Sequence, residues 1–312
     1  MPRVEAAADR IVAGVVGLAL GDALGAPFEF RRAPDVPDPV PAFELPWMGL
    51  PPGATTDDTA MARNLWTSLA ATGGDLDLDD VLRRHLEWFA TSPPDVGTLT
   101  RRVLRGWRDG ERDPAGAYVA DRGPEVSAGN GSVMYCAPLG LAYAERPDDL
   151  FEAAPALSGL THADERCRTA CLAVTLAAAA LVRGEHPESA VRDALAAVDG
   201  REGAEELDYL VGAAGIERPI DGPDQGFVFF TAGVALRLAG EARPFEQGLR
   251  SVVALGGDTD TNAAVAGALL GALHGTDALP AAWLERLTEH EAIRAEAAAL
   301  ARLAVARERP LS

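Results

Sequence analysis

The sequence predicts an all-α fold, built from many helices in a single domain that spans residues 1–312. The apolar segment 263–273 is too long and too rich in alanine for a strand, so we interpret it as a buried helix, and we also expect a long helix over 166–182. No segment of useful length alternates apolar and polar residues with the period of two that half-buried strands require. Hydrophobic residues make up 48% of the chain, which is enough for a buried core.

The expected helices follow one another along most of the chain. A stripe of glycines four residues apart, Gly17, Gly21 and Gly25, would let a second backbone approach the first helix closely. Residues 31–54 hold many of the 22 prolines and are expected to form an irregular surface loop. The segments expected to be helical are 9–20, 60–69, 77–90, 101–108, 133–144, 166–182, 187–198, 203–214, 263–273 and 281–307.

Charge and cysteine content narrow the function classes. The net charge of -19 argues against nucleic-acid binding through a basic face, and all 28 basic residues are arginine. Three cysteines, at 136, 167 and 171, form no disulfide framework, so we expect a reducing cytoplasmic location. The apolar segment 11–20 follows Glu5 and Asp9, and these acids argue against a secretion signal. We also expect the protein to be a monomer and to bind no membrane.

Two separate helix starts carry the same polar motif. Thr55–Thr59 precedes one helical segment, and Gly256–Asn262 precedes another. Each motif could be a helix N-cap, but one cap needs one side chain, and a second buried carboxylate is costly without a cation or proton. Oxygen donors without Cys or His select hard cations, so we expect two Mg²⁺ or Mn²⁺ ions. The proposed ligands are Thr56, Asp57, Asp58, Asp258, Asp260 and Thr261.

Three further acids lie near these motifs or near helix starts. Asp22 sits in an apolar segment, where it could cap a helix or support the site. Glu29 follows Pro27 and could either point into a cleft or be a solvated loop acid. Asp95 could cap the helix that follows it or belong to the site.

A small-residue loop and two isolated side chains are candidates for substrate binding. Ser127–Ser132 contains Gly129, Asn130 and Gly131 before a buried helix, a setting that suits a diphosphate, although Gly-Asn-Gly alone is a turn signal. His162 precedes a long helix and could be a cap or a ligand-binding group. Phe227 could stack on a purine or pack in the core.

Taken together, these motifs resemble the ADP-ribosylglycohydrolase family, which includes the dinitrogenase reductase-activating glycohydrolases. The resemblance covers roughly residues 10–275 and implies a compact, orthogonal multi-helix fold around a two-metal site. The matching motifs, in chain order, are Gly21-Asp22-Ala23-Leu24-Gly25 with Glu29, Thr56-Asp57-Asp58-Thr59, Pro94-Asp95-Val96-Gly97, Gly129-Asn130-Gly131-Ser132, Thr161-His162 and Gly256-Gly257-Asp258-Thr259-Asp260-Thr261-Asn262.

The resemblance also implies roles for the individual residues. One metal would lie near Thr56, Asp57 and Asp58, the other near Asp258 and Thr261, with Asp260 between them. Asp95 and Glu29 would supply the catalytic acid and base. The substrate-binding residues would be Gly97, Ser127, Gly129, Asn130, Gly131, His162 and Phe227. Where many members have Met-Arg after the glycine loop, this chain has Met134-Tyr135, so a positive charge is missing there.

The implied activity is metal-dependent removal of ADP-ribose from a modified protein side chain such as arginine or serine. Two metals can position a ribose diol and a water for attack at the glycosidic carbon. Hydrolysis of a small conjugate such as O-acetyl-ADP-ribose is an alternative, as is a non-catalytic ADP-ribose-binding protein. A two-metal phosphohydrolase is a further alternative, which would release AMP instead of ADP-ribose.

Overall fold

The computed structural model describes residues 2–123, 126–212, 215 and 217–306, and this part of the chain is almost entirely helical. The prediction of an all-α fold is therefore confirmed. The α-helices are α1 (Pro2–Gly25), α2 (Asp57–Ala71), α3 (Leu78–Ala90), α4 (Thr98–Arg108), α5 (Pro114–Arg122), α6 (Val133–Ala142), α7 (Leu150–Gly159), α8 (Glu165–Val182), α9 (Pro187–Ala197), α10 (Ala204–Val211), α11 (Val228–Gly240), α12 (Phe245–Val253), α13 (Thr259–His274), α14 (Ala281–Leu284) and α15 (His290–Ala306).

Helix α1 packs closely against α13 in the core. A Cβ at Gly17, Gly21 or Gly25 would overlap backbone atoms of α13, so the predicted glycine stripe is the contact surface. At its amino end α13 is also tied to α1 by a hydrogen bond of 2.8 Å from the Thr259 hydroxyl to the Gly25 carbonyl. The first turn of α13, which carries the predicted acids, is therefore fixed against the end of α1.

A short antiparallel ladder joins the segment after α1 to the segment before α13. Strand β1 (Arg31–Arg32) pairs with strand β2 (Gly256–Gly257), and the amide of Phe30 donates to the Gly257 carbonyl at 2.7 Å. Strands of two residues are too short to produce an alternating pattern, so no sequence pattern predicts this ladder. It places Glu29 beside the first turn of α13.

The prediction of one helix over 281–307 is wrong, because the helix is interrupted between α14 and α15. Glu289 adopts a left-handed φ of 60°, and the amide of Thr288 donates to the carbonyl of Gly53 at 2.9 Å. A left-handed residue ends a helix even where helix-forming side chains continue on both sides. Two ends of predicted helices, residues 213–214 and residue 307, lie outside the described residues.

The proline-rich loop before α2 is more buried than expected. Residues 31–54 are largely irregular, as predicted, but Val36, Val40 and Phe43 are buried, so the loop contributes to the core. The three cysteines are free, as expected, and all three are buried. Within the described residues, the segment Arg3–Phe28 alone is long and apolar enough to cross a membrane, and 89% of its apolar window is buried inside the fold.

Replacing Gly21 by alanine is expected to destabilise the protein, because the added methyl group would collide with the carbonyl oxygen of Ala263. Overpacking of this kind costs about 1–3 kcal/mol or more in the free energy of unfolding, which urea denaturation measures. Gly240→Ala is the matched control, since a Cβ there meets Val191 at an ordinary 3.5 Å. Equal stability of the two variants would show that the α1 and α13 backbones can separate without cost.

Candidate metal centre and active site

A cleft of about 400 Å³ brings together most of the predicted site residues. The amino ends of α2 and α13 form its acidic floor, and the loop before α6 forms a facing wall. The predicted residues that line it are Glu29, Asp57, Asp58, Asp95, Gly97, Gly129, Asn130, Gly131, His162, Asp258, Asp260 and Thr261. The three predicted residues outside its lining are Thr56, Ser127 and Phe227.

The floor of the cleft contains a tight cluster of acids. Carboxylate oxygens of Glu29, Asp258 and Asp260 lie within 4.8 Å of one another. Asp58 joins the cluster from α2, because its Oδ2 accepts hydrogen bonds from the hydroxyls of Thr56 at 3.2 Å and Thr261 at 3.3 Å. Carboxylates from two helices and from the loop after α1 thus converge in one place.

Burial and mutual repulsion raise the pKa values of Glu29, Asp57, Asp58 and Asp260. Burial, with smaller contributions from Asp258 and Asp95, raises the pKa of Glu29 to about 8. The pKa values of Asp57, Asp58 and Asp260 are raised well above the usual range, first by burial and then by neighbouring carboxylates. Like charges in a buried cluster favour either proton uptake or a bound cation.

The donor set fits a hard divalent cation. Asp58 Oδ1 is buried and, among the described residues, has no hydrogen-bond partner, although buried carboxylate oxygens are normally satisfied. All of the candidate ligand atoms are carboxylate or hydroxyl oxygens, which Mg²⁺ and Mn²⁺ prefer to thiolate or imidazole. A bound cation would satisfy this oxygen, for which the described residues supply no hydrogen bond.

Other acids cap α2, which frees its own two aspartates. Asp22 accepts the Thr56 and Thr59 amides at 3.0 Å each and also the Thr59 hydroxyl, and burial raises its pKa to about 6. Asp95 accepts the amide of Asp57 at 2.9 Å. Within the Thr55–Thr59 motif, Thr56 is the N-cap and accepts the amide of Asp58 at 3.3 Å, so the carboxylates of Asp57 and Asp58 are not needed as caps.

The opposite wall offers uncharged hydrogen-bonding groups. Burial lowers the pKa of His162 to about 3, so its ring is neutral at physiological pH. Its Nδ1 lies 3.0 Å from the Thr161 hydroxyl, and its other edge lies against Gly131, where an added Cβ would come within 2.6 Å of the ring. The Asn130 amide group donates to Asp258 Oδ2 at 2.8 Å and thereby connects this wall to the acidic floor.

Ser127 and Phe227 support the wall from behind. The Ser127 hydroxyl is buried and donates to Asp164, and Phe227 packs edge-on against Phe229 and Phe230. The backbone amide of Asn130 donates to the Gly226 carbonyl at 3.0 Å, and this bond ties the loop before α6 to the start of α11. Direct substrate contacts from Ser127 and Phe227 stay predictions, since both side chains have partners inside the protein.

Sequence reasoning missed an apolar rim at the mouth of the cleft. This rim consists of Phe30, Trp47 and Met48, all of which line the cleft. Phe30 is 59% exposed and Met48 63% exposed, and both have left-handed φ angles, of 63° and 44°. Bulky residues rarely adopt this conformation, and no periodic pattern in a proline-rich loop signals it.

Without metal, the free energy of unfolding is expected to fall as pH rises from 6 to 9. A carboxyl whose pKa is raised by folding stabilises the fold below its unfolded pKa, and loses that contribution as pH passes the folded value, about 8 for Glu29. Urea denaturation in chelator should show a steeper fall for the wild type than for Glu29→Gln, and Mg²⁺ or Mn²⁺ should reduce the fall. Identical slopes for the two proteins would contradict the assignment of Glu29.

Comparison with known proteins agrees with this geometry. Residues 3–310 match the family described as ADP-ribosylglycohydrolase. The chain is 33% identical to an ADP-ribosyl-[dinitrogen reductase] glycohydrolase of Rhodospirillum rubrum over 89% of this chain and 90% of that protein. It is 28% identical to the ADP-ribosylhydrolase ARH3 of Bos taurus, covering 89% and 88%.

A solved structure extends the similarity to three dimensions. The structure of an ADP-ribosylglycohydrolase-related protein complex superimposes with a TM-score of 0.79 at 34% identity, and the match covers 96% of this chain and 99% of that one. The family model, the related proteins and the solved structure agree over nearly the whole length of the chain. The chain belongs to the ADP-ribosylglycohydrolase family.

Proposed function

We propose that the protein uses two Mg²⁺ or Mn²⁺ ions to hydrolyse the glycosidic bond between ADP-ribose and a modified side chain, arginine or serine, of an acceptor protein. Its family makes it an ADP-ribosyl-acceptor hydrolase. The observation that carries the proposal is the all-oxygen cluster of Glu29, Asp258 and Asp260, whose carboxylates lie within 4.8 Å of one another. The adjoining cleft of about 400 Å³ is within the range of small-molecule sites.

The two ends of the acidic floor would each hold one ion. Thr56, Asp57 and Asp58 would hold the first, Asp258 and Thr261 the second, and Asp260 would lie between them. When bound, such ions polarise a water and orient a ribose diol. The raised pKa values of Asp57 and Asp260 describe the protein without metal, and cation binding would displace protons from these carboxyls.

Glu29 and Asp95 are the candidates for moving a proton during the reaction. Both are partly buried acids that line the cleft, and burial raises both pKa values. A carboxyl with a raised pKa can hold a proton near neutral pH and give it to a leaving group. Asp95 Oδ2 is already engaged by the Asp57 amide, whereas the position of Glu29 is set by the β1–β2 ladder.

The wall opposite the floor supports binding of the anionic part of ADP-ribose. Gly129, Asn130 and Gly131 lie just before α6, where backbone amides and the helix dipole favour a diphosphate. The neutral ring of His162 can exchange hydrogen bonds with a ribose hydroxyl without adding charge. The negatively charged group would thus lie away from the carboxylates of the floor.

A protein acceptor is favoured over the alternatives that the sequence left open. The Rhodospirillum rubrum relative is named for dinitrogen reductase, and a 26% identical relative from Pseudomonas putida (strain GB-1) is named ADP-ribosylarginine hydrolase Tri1. Retention of every predicted metal ligand argues against a non-catalytic binding protein. Hydrolysis of O-acetyl-ADP-ribose and phosphohydrolysis are alternatives that product analysis distinguishes.

The double variant Asp57→Asn/Asp58→Asn is expected to lose turnover, because it removes two charged ligands from the floor. The assay incubates protein with ADP-ribosyl-arginine, ADP-ribosyl-serine and O-acetyl-ADP-ribose, with metal or with chelator, and identifies the products by mass spectrometry. The control is Asp79→Asn/Asp80→Asn, which changes the acid pair in the first turn of α3, outside the cleft lining.

We expect the wild type and this control to release intact ADP-ribose in a metal-dependent reaction, and the double variant to release none. AMP as the product would instead indicate a phosphohydrolase. Near-normal turnover of the double variant would remove the metals from the mechanism.

The apolar rim lies where the acceptor would leave the cleft, so it is expected to contact the acceptor. The variant Phe30→Ala/Met48→Ala should raise KM for an ADP-ribosylated protein about tenfold, while kcat stays nearly constant, as expected for loss of uniform binding. Phe151→Ala is the control, since Phe151 is 40% exposed on α7 and lies outside the cleft lining. A fall in kcat with unchanged KM would contradict a role in acceptor binding.

A further inference from the structure

A small basic pocket lies beside the cleft. We call it the arginine patch and define it by Arg101, Arg105 and Arg108 of α4, which line a pocket of about 220 Å³. Its other lining residues, Phe89, Ala90, Ser92 and Pro93, are uncharged, so its described lining contains no acid. This is unusual for a chain with 47 acidic residues, 28 basic ones and a net charge of -19.

The three arginines share one face of α4 because they are spaced four and three residues apart. Arg101 is half-buried and donates to the Val96 carbonyl at 3.0 Å. Arg105 is exposed and has no salt bridge among the described residues, and Arg108 pairs only with its neighbour Asp109, an exposed pair. The charge of Arg105 is therefore available to a partner, whereas Arg101 also attracts the carboxylate of Asp95. By contrast, Arg102, outside the pocket lining, is paired with Glu111 at 2.9 Å.

One short segment connects the patch to the active site. Ser92 and Pro93 line the patch, and the residues directly after them, 94–100, line the cleft. Arg101 holds Val96, a cleft residue, through its carbonyl, and the two pockets share this stretch of backbone. A polypeptide that presents a modified side chain to the cleft could therefore reach the patch with its neighbouring residues.

We propose that the arginine patch docks an acidic segment of the acceptor protein, with Asp or Glu side chains flanking the ADP-ribosylated residue. The proposal rests on the proposed function. Guanidinium groups bind carboxylates through paired hydrogen bonds, and Phe89 and Pro93 supply an apolar floor for the aliphatic parts of the segment. Because the rest of the protein carries a large negative charge, an acidic segment would be repelled elsewhere and directed to this patch.

A binding experiment tests the patch without any turnover. A fluorescently labelled Glu-rich peptide without ADP-ribose is titrated with the protein at low ionic strength, and its anisotropy is followed. Arg105→Glu should weaken binding about fivefold or more, since one favourable charge pair becomes a repulsive one. Arg302→Glu is the matched control, because Arg302 is exposed on α15, lines neither pocket and has no salt bridge among the described residues.

Both charge-reversal variants should unfold at the same temperature as the wild type. The expected result is that peptide binding weakens in Arg105→Glu and stays unchanged in Arg302→Glu. Added salt should also weaken peptide binding by the wild type. Absence of binding by the wild type, or equal binding by the wild type and Arg105→Glu, would overturn the proposal.

A second experiment relates the patch to turnover. Peptides that carry the same ADP-ribosylated residue with acidic or neutral flanks are compared as substrates. The wild type should show a lower KM for acidic flanks, and Arg105→Glu should remove this preference while kcat and the KM for neutral flanks stay constant. No preference in the wild type would contradict the docking role. Failure to hydrolyse any peptide would contradict the proposed function, and the binding experiment would still decide the role of the patch.

Discussion

The structure depends on keeping several carboxylates close together inside the protein. Glu29, Asp258 and Asp260 approach within 4.8 Å, and burial together with mutual repulsion raises the pKa of Glu29 to about 8. Such a cluster is unfavourable in a fold without a cation or protons, so the surrounding structure must hold it in place. The tight contact between α1 and α13 and the β1–β2 ladder supply that support, because both fix backbone next to these acids.

The capping of α2 follows from the same constraint. A helix start can satisfy its amides with its own side chains, but Asp57 and Asp58 could not then serve as metal ligands. Here Asp22 from α1 and Asp95 from the loop before α4 accept those amides instead. Acids distant in sequence thereby leave the oxygens of Asp57 and Asp58 directed to the cleft, and Asp58 Oδ1 has no partner within the described residues.

How much of this could be read from the sequence depends on the kind of signal. The helices, the glycine stripe and the Asp-Thr motifs are local patterns that the sequence shows directly. The family resemblance predicted that motifs distant in sequence form one site. The break at Glu289, a left-handed residue, depends on the contact between Thr288 and Gly53, which no local pattern contains. The exposure of Phe30 and Met48 likewise depends on backbone conformation in a loop without periodicity.

The arrangement of charge around the cleft is compatible with the binding of anionic ligands by an acidic protein. The acids of the floor can be neutralised by cations, the wall at Gly129–Gly131 presents amides and the neutral ring of His162, and the arginine patch lies outside both. A diphosphate beside uncompensated carboxylates would be repelled strongly at these short distances. In the proposed binding mode, a diphosphate at the Gly129–Gly131 wall would avoid this repulsion. The overall charge of -19 would then act mainly on approaching partners, and would favour those that present acidic residues only where the three arginines lie.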